Sequence, residues 1–389
     1  MASRFDVEID RRGTGAYKWD RYAGTDVLPL WVADMDFASP PAVVEGLHRR
    51  VEHGVFGYTH AWPSCDEAVL DYLRDRHAVD VPREWLAWLP GCVPALSMAC
   101  AATGSSGDAV ITFTPVYPPF RAVHRDSQRT LREIPLTADD QGRYDIDFEA
   151  LEEAAAAGAK TLLFCNPHNP VGRVFDGATV RRVAAICERY DMLLCSDEIH
   201  CDLVLDEQKT PFVSALSLDD RVRQRLIVLM AASKTYNVAG LACSFALIPH
   251  EGLRRRFRQA AGKLLSEISP LGFAATEAAY RGGEAWRQEL LAYLRGNRDR
   301  IAEFVRARCP GLVASPVEAT YLAWFDARPL GLPDPHRHFE QHGLGFSNGV
   351  DFGTPGFVRM NFGTTRARVE EALRRLERAV AAAAGSGLA

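Results

Sequence analysis

The fold is decided by residues 161–200, which read TLLFCNPHNPVGRVFDGATVRRVAAICERYDMLLCSDEIH. Two short apolar runs, Thr161–Cys165 and Met192–Ser196, flank a pattern of helical period. Asp176 is placed to cap that helix, which runs through Tyr190. Apolar runs separated by an amphipathic helix are typical of strands buried on both faces of a parallel sheet. The stretch therefore predicts one β–α–β crossover.

Similar runs lie on both sides of this crossover. Val110–Thr114 precedes it, and Leu226–Met230 and Cys243–Ile248 follow it, with longer helical patterns in between. Repeated alternation of this kind indicates the α/β class. We therefore expect a large domain built on a mostly parallel sheet that is covered by helices.

The pattern changes after about residue 270. A helix is predicted from Thr276 to Cys309 with an interruption at Gly282, followed by strands Tyr321–Phe325 and Phe357–Phe362 and a final helix Arg366–Ala384. Strands set apart from helices suggest a smaller α+β domain. The predicted division is an N-terminal arm that forms part of the small domain (1–45), a large domain (46–275) and a small C-terminal domain (276–389).

Composition excludes several classes of function. The 389 residues carry 45 Lys and Arg against 50 Asp and Glu, a net charge of −5, so no basic excess favours a nucleic-acid partner. The longest nearly apolar run, Val238–Ile248, is far shorter than the roughly 20 residues that span a bilayer. Most of the nine cysteines lie in apolar runs without zinc-type spacing, which predicts a reduced, cytoplasmic protein with no metal site.

Four candidate site residues follow four successive predicted strands. They are Tyr117, Asn169, Asp197 and Lys234. The carboxyl ends of parallel strands meet at one edge of a sheet, which is where open α/β sheets bind their ligands. The sequence therefore predicts that these side chains share one crevice.

Lys234 is the most informative of the four. It follows an apolar strand and precedes an apolar stretch, so burial would lower its pKa and make it a competent amine nucleophile. Taken alone, its default interpretation is a loop lysine with its amine in solvent. Together with a carboxylate, an amide and an aromatic ring, it matches what pyridoxal phosphate requires.

The chain resembles the fold-type I pyridoxal-phosphate enzymes. Within them it is similar to the cystathionine β-lyase and cysteine-S-conjugate β-lyase group of the class I and II aminotransferase-like proteins. The resemblance covers most of the chain and rests on segments Trp31–Phe37, Phe56–Thr59, Thr114–Phe120, Asn166–Gly172, Ser196–His200, Ser233–Leu241 and Asp351–Phe362.

The resemblance implies a role for each residue at the strand ends. Lys234 would hold the cofactor covalently and then carry the proton taken from the substrate Cα. Asp197 would pair with the ring nitrogen of the cofactor. Asn169 would bind the ring hydroxyl, and Tyr117 would stack on the ring.

The resemblance also implies a phosphate site. Backbone N–H groups at Cys92 and Val93 would bind the phosphate at a helix start, helped by Ser233. Tyr58 would reach the same phosphate, and act in catalysis, from the other subunit of a homodimer with shared active sites. Two positions depart from the family pattern, because Ala231 and Ala242 stand where relatives carry a phosphate-binding serine and arginine.

Substrate recognition is assigned in the same way. Arg359 would clamp the substrate α-carboxylate, with Asn169 and Ala33 beside the substrate. An arginine among apolar strand residues could otherwise be an edge residue or half of a structural ion pair. His200, where most aminotransferases have a tyrosine, would lie near the cofactor and is shared with the lyase group.

These residues serve more than one reaction. The lyase resemblance implies α,β-elimination of L-cystathionine or another L-cysteine S-conjugate to a thiol, pyruvate and ammonia. Transamination, or a decarboxylation-linked deamination in a specialised pathway, uses the same residues. A third alternative is a regulatory protein that holds the cofactor and binds another protein.

Overall fold

The structure is a computed structural model that describes residues 3–262 and 265–386. Within these ranges the strands, in chain order, are β1 (Leu28–Pro29), β2 (Leu86–Leu89), β3 (Ala109–Thr114), β4 (Thr130–Pro135), β5 (Thr137–Ala138), β6 (Tyr144–Asp145), β7 (Thr161–Cys165), β8 (Leu193–Asp197), β9 (Leu226–Met230), β10 (Ser244–Leu247), β11 (Val313–Ala314), β12 (Leu322–Asp326), β13 (Leu344–Gly345), β14 (Ser347–Asn348) and β15 (Phe357–Asn361).

The helices of the same ranges are α1 (Tyr17–Asp20), α2 (Pro41–Glu52), α3 (Pro63–His77), α4 (Cys92–Ala101), α5 (Pro118–Asp126), α6 (Phe148–Ala156), α7 (Gly177–Arg189), α8 (Asp220–Arg223), α9 (Glu251–Ala261), α10 (Pro270–Gly282), α11 (Glu284–Arg308), α12 (Pro335–Gln341) and α13 (Arg366–Ser386). None of these helices is long and apolar enough to cross a membrane.

The large sheet has the strand order β2-β10-β9-β8-β7-β3-β4. Strands β9, β8, β7, β3 and β4 pair in parallel. All residues of β7, β8 and β9 are buried, which explains why these strands are continuous apolar runs in the sequence. The predicted α/β class with a mostly parallel sheet is confirmed.

The predicted crossover between β7 and β8 is also confirmed. The Asp176 side chain caps α7 by accepting a hydrogen bond from the Thr179 N–H. Strand β10 differs from the rest because it runs antiparallel to both of its neighbours. The chain between β9 and β10 contains only the short 3-10 turn Ala239–Leu241, so it lacks the crossover helix that a parallel neighbour needs.

A second, antiparallel sheet has the strand order β11-β12-β15-β14 and shares a hydrophobic core with residues of α11 and α13. The N-terminal arm contacts this part of the chain, since β1 pairs in parallel with β13 through Leu28 and Leu344. Helix α10 runs across the predicted boundary at residue 275. The two predicted boundaries stay predictions.

Candidate active site

The four predicted strand-end residues lie at one edge of the large sheet. Their strands, β3, β7, β8 and β9, are neighbours in the sheet. Tyr117 lies between β3 and α5, as the residue directly before α5, and its N–H donates to the Asn169 carbonyl at 3.1 Å. Asp197 is the last residue of β8, and Lys234 follows β9. The parallel topology therefore brings these residues to one crevice, as the sequence predicts.

Lys234 lies half-buried in this crevice and donates from Nζ to the Ala33 carbonyl at 2.9 Å. Burial lowers the pKa of its amine, the Arg359 guanidinium lowers it further, and the Asp34 carboxylate acts in the opposite direction. A lowered pKa increases the fraction of neutral amine, which is the nucleophilic form.

Asp197 is buried, and within the described ranges its carboxylate accepts one hydrogen bond, from the Ile199 N–H to Oδ1 at 3.1 Å. Burial raises the pKa of its carboxyl to about 6, although that hydrogen bond and the Lys234 charge act to lower it. The carboxylate thus has acceptor capacity to spare. A protonated ring nitrogen would satisfy it.

Arg359 is buried in β15, and its hydrogen-bond partners in the described part of the chain are all neutral. Its guanidinium donates to Asn169 Oδ1 at 2.8 Å, to the Trp31 carbonyl at 2.7 Å and to Ser347 Oγ at 3.1 Å. Within the described ranges no carboxylate lies at ion-pair distance, and Arg359 Nε is buried without a hydrogen-bond partner. Burial lowers the pKa of Arg359 to about 10.

These neutral partners argue against the alternative that Arg359 is half of a structural ion pair. A buried cation without an anionic partner carries a desolvation cost that a bound anion would offset. A substrate carboxylate is such an anion, and the planar guanidinium suits it. The same neutral surroundings would not be expected if Arg359 served stability alone.

His200 lies in the same crevice, where it is buried and its Nδ1 has no hydrogen-bond partner in the described chain. Burial, together with the charges of Lys234 and Arg359, lowers the pKa of His200 to about 3. The imidazole is therefore neutral at ordinary pH. An unpaired buried nitrogen of this kind fits a neighbouring polar group of a cofactor.

The predicted phosphate site lies at the start of α4. Cys92 and Val93 are its first residues, and the first N–H groups of a helix have no partner inside the helix. The Cys92 thiol is buried and donates to the Met230 carbonyl, and burial raises its pKa well above the ordinary value. Only the backbone of Cys92 is thus suited to an anion.

Side-chain support for that phosphate is sparse in a single chain. Ser233 is half-buried, whereas Ala231 and Ala242 offer no polar group. Tyr58 is 98% exposed, so in an isolated chain it does not form part of a closed site. At these two positions a single chain therefore offers no side chain that replaces the phosphate-binding serine and arginine of related proteins.

One wall of the crevice is formed by residues 31–36 of the N-terminal arm, which we call the arm wall. Its backbone carbonyls face the site: Ala33 accepts from Lys234 and, at 3.0 Å, from the Tyr321 hydroxyl. Asn361 Nδ2 donates to the Val32 and Asp34 carbonyls at 2.6 and 2.7 Å. Ala33, which the sequence predicts to lie beside the substrate, therefore contacts the crevice through its backbone carbonyl.

The buried carboxylate of Asp36 holds the arm wall in place. It accepts from Lys18 Nζ at 3.1 Å, from Trp19 Nε1 at 2.9 Å and from Arg11 at 2.9 Å. Burial alone would raise the pKa of Asp36, but Lys18 and Trp19 lower it below the ordinary value. The arm is therefore fixed by a charged network inside the protein.

Tyr321 and Asn361 were not among the predicted site residues. Tyr321 follows Thr320, which is buried with a left-handed φ of 75°. In the sequence, Tyr321 is marked only by its place near an irregular segment, and Asn361 only by its place in the family segment Asp351–Phe362. Their contacts with the arm wall depend on tertiary structure that local pattern does not encode.

A buried cluster outside the crevice groups His77, Cys201 and Asp202, with possible ligand atoms within 4.8 Å of one another. The sequence predicts no metal site there. Tyr72 donates to Asp202 at 2.7 Å and Arg76 donates to it at 3.3 Å. These donors occupy the carboxylate, and the guanidinium charge disfavours a cation.

The crevice has the groups of a pyridoxal-phosphate enzyme, and known proteins of similar sequence agree. The chain is 36% identical over 388 residues to cystathionine β-lyase PatB of Bacillus subtilis, covering 97% of this chain and 99% of that protein. The solved structure of OvoB matches with a TM-score of 0.93 and 41% identity over 97% of this chain and 98% of that one.

Cystalysin from Treponema denticola, whose structure contains pyridoxal 5′-phosphate, matches with a TM-score of 0.92 and 32% identity over 98% of this chain and all of that one. The model of the family "Aminotransferase class I and II" matches residues 25–376. The chain belongs to that family. It is a pyridoxal-phosphate-dependent enzyme of the carbon–sulfur lyase type, as the sequence predicts.

Proposed function

We propose that the chain catalyses α,β-elimination of an L-cysteine S-conjugate, such as L-cystathionine, to a thiol, pyruvate and ammonia. The observation that carries this proposal is the buried guanidinium of Arg359, which lies beside Lys234 and Asp197 and has no anionic partner among the described residues. That arrangement matches an α-amino acid bound through its carboxylate. The names of the carbon–sulfur lyase relatives support elimination over transamination.

In this reaction pyridoxal phosphate supplies an electron sink conjugated to the substrate Cα. Asp197 would bind the protonated ring nitrogen, Asn169 the ring hydroxyl, and Tyr117 the ring face. The unpaired Nδ1 of His200 would take a polar atom of the cofactor. The N–H groups of Cys92 and Val93, with Ser233, would bind the phosphate.

The substrate is handled by three groups of this chain. Arg359 would hold the α-carboxylate and so orient the Cα–H bond, and the Lys234 amine would take that proton. The Asn169 amide, already bonded to Arg359, would lie beside the same carboxylate. The C–S bond then breaks, the thiolate leaves, and the released enamine takes up water to give pyruvate and ammonia.

We also propose that the protein is a homodimer with shared sites. Tyr58 is almost fully exposed, and nearby Val51, Val55 and Phe56 are exposed as well. Apolar side chains clustered at a surface mark interaction sites. A second copy would cover them and bring Tyr58 to the phosphate of the neighbouring site, where Ala231 and Ala242 offer no polar side chain.

Subunit mixing tests the shared site. If Tyr58→Phe and Lys234→Ala are each strongly impaired, an exchanged equal mixture should regain about a quarter of wild-type activity, because half the dimers then have one intact site. Exchange is followed with two differently tagged chains. Full exchange without regained activity would disprove a site that uses Tyr58 in trans.

A cytoplasmic location is part of the same proposal. All nine cysteines are free and buried, which fits a reducing compartment.

A screen of S-substituted L-cysteines tests the reaction, with thiol and pyruvate measured in the same sample. We expect equal amounts of the two products from at least one conjugate. Arg359→Lys serves as the control, because it should slow both products together. Pyridoxamine phosphate formed without any thiol would assign transamination instead.

A further inference from the structure

A second cavity of about 720 Å³ lies between α11 and the segments 206–210 and 310–318. We call it the α11 groove. Its volume falls within the roughly 300–1,000 Å³ of small-molecule sites. Its floor is apolar and includes Ile301, Val305, Leu312 and Val317. None of the predicted catalytic or cofactor-binding residues is among those that line it.

Two cations at the rim of the α11 groove have no side-chain partner among the residues that the structure describes. Lys209 and Arg306 are exposed, and neither side chain makes an ion pair or hydrogen bond with any described residue. A third cation, Arg298, is engaged by Asp206 at 2.5 Å. Positive charge is therefore available at the rim, directly above an apolar floor.

The carboxylates at the rim are already neutralised. Asp206 accepts from Arg298, and Glu318 forms ion pairs with Arg173 at 2.8 Å and Arg143 at 3.0 Å. They leave little negative charge to repel an anion from Lys209 and Arg306. The complementary ligand has an apolar body and one negative group.

One wall of the groove, formed by residues near 317–320, is hydrogen-bonded to segments of the catalytic crevice. The Glu318 and Ala319 N–H groups both donate at 2.9 Å to the carbonyl of Gly172, which ends the loop that contains Asn169. The Thr320 N–H donates at 2.9 Å to the carbonyl of Leu203, in the turn after His200. A shift of this wall would thus reach two segments of the crevice.

The segment 317–321 is closely packed, so a shift of the wall cannot be absorbed within it. Gly172 has a φ of 69°, and a Cβ there would lie 3.0 Å from Val317 and 3.1 Å from the Ala319 carbonyl. Thr320 is fully buried in the left-handed region. Tyr321 follows at once, with its hydroxyl on the arm wall at Ala33.

We propose that the α11 groove is a second ligand site that binds a hydrophobic monocarboxylate, with its tail on the apolar floor and its carboxylate at Lys209 and Arg306. Binding there alters catalysis through residues 317–321. The site is separate from the substrate site, whose carboxylate group is assigned to Arg359.

Calorimetric titration of the holoenzyme with octanoate tests this site. We expect wild type to bind octanoate in the groove, and Arg306→Glu and Lys209→Glu each to weaken that binding about tenfold or more. Ala302→Trp, at an exposed position of α11 that lines the groove, should block the tail. The matched control is Arg255→Glu on α9, another exposed arginine without a partner in the described chain.

Steady-state elimination is then measured with and without octanoate. We expect KM or kcat to change by about twofold or more in wild type and Arg255→Glu, and to stay constant in Arg306→Glu. The Arg306→Glu enzyme should keep its basal activity, because this residue is outside the crevice. 1-Octanol, which lacks the charge, should bind more weakly than octanoate.

Two results would overturn the site. One is no octanoate binding by wild type, and the other is equal binding by wild type, Arg306→Glu and Ala302→Trp, which would place the ligand elsewhere, for example at Arg359. Binding that is lost in both variants but leaves KM and kcat unchanged would overturn the coupling to catalysis.

Discussion

The two walls of the catalytic crevice are built on different principles. The sheet wall, at the carboxyl ends of β3, β7, β8 and β9, presents side chains with unused hydrogen-bonding capacity, such as Asp197. The arm wall, residues 31–36, presents backbone carbonyls that are already bonded to Tyr321 and Asn361. The sheet wall is therefore suited to binding and reacting with ligands, whereas the arm wall defines the shape of the crevice.

This difference predicts a gradient of mutational effects. Unpaired groups of the sheet wall gain their partners only from the cofactor and substrate, so their loss should affect rate more than stability. The arm wall is held by Asp36 in a buried charged network, so its loss should affect stability more than rate. Four substitutions test that gradient.

Lys234→Ala should have the largest effect. It removes the proposed covalent link and the proton carrier, so elimination should fall by about 10⁴-fold or more. Borohydride should fix the cofactor to wild type but not to the variant, as read by mass spectrometry. Lys209→Ala, an exposed lysine, is the matched control and should still be labelled. Covalent trapping by the Lys234→Ala chain would remove this lysine from its role.

Asp197→Asn should come second. The neutral amide cannot stabilise a protonated ring nitrogen, so the rate should fall on the order of 10³-fold. Stopped-flow or steady-state assays measure it beside Asp140→Asn, a control at an exposed aspartate. The melting temperature should change little. Turnover close to wild type would show that Asp197 does not act on the cofactor.

Arg359→Lys should have an intermediate effect of about 10²-fold in kcat/KM. A lysine keeps the charge but loses the planar pair of donors, so most of the loss should be in KM. Since Arg359 also bonds Asn169 and Trp31, circular dichroism checks the fold. A loss confined to kcat would contradict a carboxylate clamp.

Asp36→Asn should have the smallest effect on rate, on the order of tenfold in kcat/KM through a displaced arm wall. It removes the nearer of the two carboxylates that pair with buried Lys18 and leaves only Asp34, at 3.9 Å, so unfolding by urea should show a loss of about 3–5 kcal/mol.

The pH dependence of that loss has a definite sign. Because the pKa of Asp36 is lowered in the fold, its stabilisation is present above the ordinary carboxyl pKa and is lost as the pH falls through the lowered value. The advantage of wild type over Asp36→Asn should therefore shrink in acid. A constant difference at all pH values would contradict the role of the Asp36 charge.

The contrast between the sheet wall and the arm wall also explains which parts of the site could be predicted from the sequence. Buried parallel strands are apolar runs, and strand ends share one edge, so β7, β8 and the crevice residues Asn169 and Asp197 follow from local pattern. The arm has no such period. Its contact from Ala33 to Lys234 joins positions 201 residues apart, and only the folded chain brings them together.

Arg359 lies between these cases. Its position in a strand is visible in the sequence, but its role there rests on family resemblance. The distinction between a structural ion pair and a carboxylate clamp requires knowing that all of its described partners are neutral. Likewise, Thr320 in the left-handed region gives no sequence signal, although it places Tyr321 against the arm wall.

The most direct test is to count turnovers on L-cystathionine, or on a simple S-alkyl-L-cysteine, with no keto acid added. A lyase returns to its starting form after each elimination, so thiol and pyruvate should accumulate in equal amounts far beyond one equivalent of enzyme. A transaminase would stop after one turnover. Conversion of the cofactor to pyridoxamine phosphate, with no thiol released from any conjugate, would contradict carbon–sulfur bond cleavage at this crevice.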